Sequence, residues 1–113
     1  MPHCIVEHSA GIDGMRIVPL VFSGALASGL FAADGGDIKV RAIAFDHYLT
    51  GPRQADFVHV TLRILSGRAA EQKQALAHSV LARLDALELR DASLTVEVVD
   101  IDRASYAKRV LGA

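Results

Sequence analysis

Pro2 has the most direct route to chemistry of any residue in this sequence. With Met1 removed, its nitrogen is a free secondary amine at the head of a strand, a group that can accept a proton and give it back. With Met1 in place, the same nitrogen belongs to a non-basic tertiary amide, and the proline only fixes φ and removes a backbone donor. Other catalytic patterns are missing. His3, His8, His47, His59 and His78 show neither His-x-His nor His-x₃-His metal spacing with acidic support, and each reads as a structural or exposed histidine. Ser9, Ser23 and Ser66 lack a Gly-x-Ser-x-Gly elbow. Gly11-Ile12-Asp13-Gly14 and Gly35-Gly36 are turns without a phosphate-binding or dinucleotide pattern around them. Cys4 is the single cysteine, so no disulfide framework or cysteine metal centre is expected, and it reads as a small buried hydrophobe.

Charge narrows the partners. Twelve Lys and Arg against thirteen Asp and Glu give a formal charge of −1 with no cationic cluster, which argues against nucleic acid or an anionic membrane. A small anionic substrate needs only two or three cations placed locally. At 113 residues the chain reads as one domain, 1–113, with a large exposed fraction that oligomerisation would reduce. Its core should be aliphatic, because 51% of residues are hydrophobic but only two are Tyr and four Phe. Ile17 to Ala33 carries no charge. It is short of the roughly 20 residues that span a bilayer, and Pro19, Gly24 and Gly29 interrupt it, so it reads as a helix buried on more than one side. No signal peptide is evident, and a cytoplasmic location is expected.

Positioning Pro2 falls to the elements around it. His3 to Glu7 alternate about Cys4 and Val6 as a short strand, Ser9 to Gly14 is a turn, and a helix follows from about Met15 or Pro19 to Leu30. Its apolar face should hold Val18, Val21, Phe22, Ala25, Leu26 and Leu30. Ile38 to Phe45 is a second strand, with Lys39, Arg41, Ile43 and Phe45 on one face. After a loop from Asp46 to Asp56 the plan repeats. Phe57 to Leu65 is a strand, Ala70 to about Leu87 a helix with Leu76, Val80, Leu84 and Leu87 in register, and Leu94 to Ile101 a strand. One turn of helix is expected around Tyr106. Two β-α-β units, about 2–45 and 57–101, predict an α+β domain with a four-stranded mixed sheet and both helices on one face. The bare face then needs a cover, most simply another subunit.

On these residues the sequence resembles the tautomerase superfamily. Ile64-Leu65-Ser66-Gly67-Arg68-Ala69-Ala70-Glu71-Gln72-Lys73-Gln74 is similar to the strand end, Gly-Arg turn and helix start of 4-oxalocrotonate tautomerase. Pro2-His3-Cys4-Ile5-Val6-Glu7, with Phe57-Val58-His59-Val60-Thr61-Leu62, resembles the 5-carboxymethyl-2-hydroxymuconate isomerases, and that likeness runs from Pro2 to about Leu84. The resemblance implies a homotrimer and a cofactor-free isomerase, with the amino-terminal proline as proton shuttle for an unsaturated hydroxy acid of aromatic catabolism. It places the substrate-binding cations on Arg68, Lys39 and Arg41. Lys39 stands where the family has an arginine; an ammonium is a point charge whereas a guanidinium grips a carboxylate with two parallel bonds. Arg41, on the same face and about 6.6 Å along the strand, could supply part of that fork. Ala69 replaces a capping serine, so the second helix must be capped by Ser66 or left uncapped at a cost of about 1 kcal/mol. For Pro2 to be basic, burial among Cys4, Ile5, Phe45 and partner residues, with Arg68 and Lys39 nearby, would have to favour its neutral form. A second implication also stands: a trimeric binding protein with little catalysis, as the likeness to macrophage migration inhibitory factor allows.

Overall fold

The computed structural model describes residues 1–112. The elements run β1 (His3–Ser9), α1 (Gly14–Ala27), β2 (Lys39–Phe45), β3 (Asp56–Leu65), α2 (Ala70–Leu84) and β4 (Ala92–Ile101), with short 3-10 turns at Asp85–Leu87 and Arg103–Ser105. The sheet order is β2-β1-β3-β4. β1 lies parallel to β2, and β3 lies parallel to β4. The inner strands β1 and β3 are antiparallel, with His3 opposite Arg63, so the sheet is mixed as expected.

Alternation along the inner strands fixes the two faces. Cys4 and Val6 of β1, and Val58, Val60, Leu62 and Ile64 of β3, are fully buried under Ile17, Val21 and Ala25 of α1 and Leu76, Val80 and Leu84 of α2. Both helices therefore cover one face. On the other, His3, Ile5 and Glu7 are half-buried, while Lys39, Arg41 and Ile43 are exposed.

α1 begins one residue earlier than the sequence pattern suggests because the Asp13 carboxylate accepts from the Met15 N–H at 3.0 Å and caps the first turn. It ends at Ala27 rather than Leu30. The Ser28 hydroxyl takes the Ala25 carbonyl at 2.6 Å, and Gly29 turns left-handed at φ +73°, so Leu30 falls outside the helix. The deepest residues of its face are Ile17, Val21, Gly24 and Ala25, a stripe rotated from the expected one. The rotation follows from close helix contact: a Cβ on Gly24 would lie 2.7 Å from Val80 Cα, and the Ser79 hydroxyl donates to the Gly24 carbonyl at 2.7 Å. α2 stops at Leu84 and passes into the 3-10 turn that buries Leu87. Ser66 does not cap α2; its N–H goes to the Ile101 carbonyl at 3.0 Å. Instead the Gln72 side chain reaches back to accept from the Ala69 N–H at 2.9 Å, which is half of a capping box. The loop after β2 is not featureless. Thr50 and Arg53 bridge, and the Arg53 guanidinium donates both arms to Asp91 just before β4.

Candidate active site

Pro2 immediately precedes β1, and its side chain is fully buried. Its carbonyl accepts from the Lys39 N–H at 3.2 Å, which continues the β1–β2 ladder and fixes the chain start against the first residue of β2. Because β3 runs antiparallel to β1, the end of β3 and the Gly67-Arg68 turn lie at this same end of the sheet. The sequence-predicted residues thus gather at one end, but not in one contact network.

Lys39 and Arg41 share the open face with His3. Lys39 is the strand partner of His3 and directs its ammonium to the Asp37 carbonyl at 3.2 Å. Arg41 reaches back across the strands to His3 Nδ1 at 3.3 Å. Arg68 goes elsewhere: its guanidinium donates to the Leu30 carbonyl at 2.7 Å and ties the segment after α1 to the turn after β3. Gly67 permits that turn with φ +124°, a conformation costly for any residue with a Cβ. Phe45 is a correction. It pairs with Ser9 at the opposite end of β1 and packs towards Phe57, so it cannot help to bury Pro2. Cys4 points to the helix face, and burial pushes its thiol up to about 11, in keeping with an inert core residue.

The chain carries further groups to this end that the sequence did not single out. Arg63 stands directly opposite His3 on β3, and directly opposed residues of an antiparallel pair share a face. Tyr106, beyond β4, brings its hydroxyl to 2.9 Å from His3 Nε2, with the two rings edge-on at 6.1 Å between centroids. Arg103 donates to the Ser66 carbonyl and packs beside Gly67, which seats the tail on the Gly-Arg turn. Alternation along β3 could have placed Arg63. Nothing local could have placed Tyr106, which is 103 residues from its partner.

The resulting field is positive. Burial first, then the charges of Lys39 and Lys108, hold the Met1 amine below its ordinary pKa, with Asp37 opposing them. The cation that joins Lys39 here is Lys108, in place of the Arg68 expected from sequence. His3 is likewise held below the usual imidazole range, by burial and then by Arg41, the chain terminus, Lys39 and Arg63. Such a region attracts carboxylates and favours the neutral forms of amines and imidazoles. Neither principal groove of the chain is lined by Pro2. One of about 600 Å³ lies between the start of α1 and β2, and one of about 430 Å³ lies beside Tyr48 and Thr95.

The sequence profile of the 5-carboxymethyl-2-hydroxymuconate isomerases matches residues 2–110. The chain belongs to this family. Solved structures agree on the fold. A 5-carboxymethyl-2-hydroxymuconate isomerase from Deinococcus radiodurans R1 is 24% identical, with 96% of this chain and 88% of that one covered and a TM-score of 0.70. A 5-carboxymethyl-2-hydroxymuconate delta-isomerase is 19% identical over 97% and 89%, at 0.73. A fused 4-OT solved as a symmetric trimer is 17% identical over 95% and 91%, at 0.79. A comparison with curated protein sequences finds no match. Family membership extends past Leu84, where the sequence likeness fades, into the tail that carries Tyr106 and Lys108. Among the described residues, no helix is long and apolar enough to cross a membrane.

Proposed function

We propose that the Met1-free chain is a cofactor-independent isomerase whose Pro2 amine moves a proton within an unsaturated hydroxy carboxylic acid, most specifically one of the 5-carboxymethyl-2-hydroxymuconate type formed in aromatic catabolism. The carrying observation is the placing of buried Pro2 against Lys39 at the head of β1, with Arg41 and Arg63 on the strands either side of His3. Once Met1 is gone, the same burial and positive charges would act on the Pro2 amine and favour its neutral, proton-accepting form. The proton leaves the enol oxygen for the Pro2 nitrogen and is returned to a distant carbon of the conjugated system, so no oxidant or metal is consumed. Arg68, Lys39 and Arg41 are assigned to the substrate carboxylates. For Arg68 this requires its guanidinium to leave the Leu30 carbonyl or to use its remaining donors.

The proposed assembly is a cytoplasmic homotrimer in which neighbouring subunits cover the apolar part of the open sheet face. Exposed Ile43 and half-buried Ile5, Leu65 and Val99 favour burial of that face. Pro2→Ala, prepared with Met1 removal verified by intact mass and with the oligomer checked by sedimentation, should lower turnover by roughly 10²–10⁴-fold. Wild-type turnover in that variant would overturn the assignment. A Met1-free wild-type protein inert towards dienol and phenylpyruvate-type acids would instead favour the non-catalytic binding protein.

A further inference from the structure

The side chains Arg41, His3 and Tyr106 form one continuous chain of hydrogen bonds on the open face. Its direction follows from elementary donor counting. A guanidinium has only donors, so the Arg41 contact at 3.3 Å requires His3 Nδ1 to be an acceptor. A neutral imidazole carries its proton on one nitrogen, so Nε2 bears it and donates to the Tyr106 oxygen at 2.9 Å. Burial and four surrounding positive groups, which hold His3 below the usual imidazole range, agree with this neutral tautomer. The Tyr106 proton is therefore not spent on His3. Among the described residues, that hydroxyl has no other side-chain or backbone partner.

We propose that Tyr106 is a catalytic hydrogen-bond donor to the substrate's enol oxygen, with His3 and Arg41 as the residues that orient it; this rests on the isomerase reading above. The division of labour is chemical. Guanidinium and ammonium groups suit carboxylates, whose charge is constant through the reaction. The enol oxygen gains negative charge as its proton moves to Pro2, and a single neutral donor fixed beside it stabilises that charge where it develops. A phenol hydroxyl can donate this hydrogen bond while remaining uncharged itself. His3 directly follows Pro2 in the chain, and Lys39 and Arg63 flank it on the neighbouring strands. The donor therefore stands in the same end of the sheet as the proposed base and the carboxylate-binding cations.

The test uses full-length, Met1-free protein and phenylenolpyruvate, which has one enol oxygen and one carboxylate. Tyr106→Phe should lower kcat by about 10- to 100-fold and leave KM within about twofold, because the lost interaction strengthens only in the transition state. His3→Ala keeps the phenol but frees its orientation; a kcat loss of about 3- to 10-fold is expected, and this variant decides the matter if Tyr106→Phe does not fold. Nitrogen-15 shifts of His3 should show the proton on Nε2. Wild-type kcat in either folded variant, or a proton on Nδ1, overturns the role of Tyr106 while Pro2→Ala remains inactive. If Pro2→Ala is as active as wild type, the isomerase reading beneath it falls instead.

Discussion

In the first β-α-β unit the inner strand β1 carries His3 beside Lys39, and in the second the inner strand β3 carries His59 beside Thr95. Both imidazoles face the open side of the sheet, and both reach the residue two places further along the outer strand. For His3 that residue is Arg41. For His59 it is Glu97, at 2.6 Å, with Thr95 on the other ring nitrogen, also at 2.6 Å. Parallel pairing thus delivers the same geometry twice, and the outer-strand side chain decides what the histidine becomes. Beside a guanidinium the imidazole must accept, whereas beside a carboxylate it must donate. The first unit thereby joins a positive region that suits an anionic substrate, while the second closes its charge internally and offers no free cation at the matching place.

The largest effect should come from breaking the helix contact that, with the β1–β3 pairing, joins the two units. Gly24 of α1 lies against the backbone of α2, where a side chain would meet Val80 Cα at 2.7 Å and the Ser79 carbonyl at 3.0 Å. Backbone atoms cannot yield as a flexible side chain can, so Gly24→Val should cost about 2–3 kcal/mol in urea unfolding. A change below about 0.5 kcal/mol would mean that the helices separate easily and that the units are not pinned there.

A smaller effect is expected from making the first histidine resemble an ordinary one. Arg41→Gln removes the largest charge contribution to the lowered His3 pKa, so the titration of His3 followed by NMR should move up towards about 6.5. A histidine with a lowered pKa in the folded state stabilises the fold above the unfolded value of about 6.5, and that contribution is lost as pH falls through the folded value. Between pH 7 and pH 5 the wild type should therefore lose more stability than Arg41→Gln. Equal losses would show that Arg41 does not contribute to the His3 titration.

The smallest effect should come from the second unit. Glu97→Gln removes the carboxylate from an exposed pair, in which Glu97 is 52% exposed, so stability should change by less than about 1 kcal/mol. Turnover of the Met1-free enzyme should stay within twofold. A large loss of activity would erase the functional contrast between the two histidines.

Much of this architecture was legible because it is periodic. Alternation identified the four strands and put Lys39 and Arg41 on a common face, and three- and four-residue spacing identified Leu76, Val80 and Leu84 of α2. Phe45 was misplaced for a related reason: alternation assigns a face but not a distance along the strand, and only the pairing of Ser9 with Phe45 puts it at the far end. The α1 stripe was rotated because its deepest point is Gly24, a residue whose value is its lack of a side chain, and which no hydrophobic pattern can mark.

Local periodicity and the joint presence of Pro2 with Gly67-Arg68 were enough, from sequence, for the fold class, the family resemblance and the cations on β2. Such signals depend on neighbours within a few residues, where strand and helix geometry is repetitive. The approach of Tyr106 to His3, the seating of Arg103 on the Gly-Arg turn and the engagement of Arg68 with Leu30 were decided by the tertiary structure alone. Each is a side-chain contact across at least 37 positions, set by how the sheet, the helices and the tail pack together. No local pattern constrains such a distance, because chain separation carries no direction in space until the core has closed.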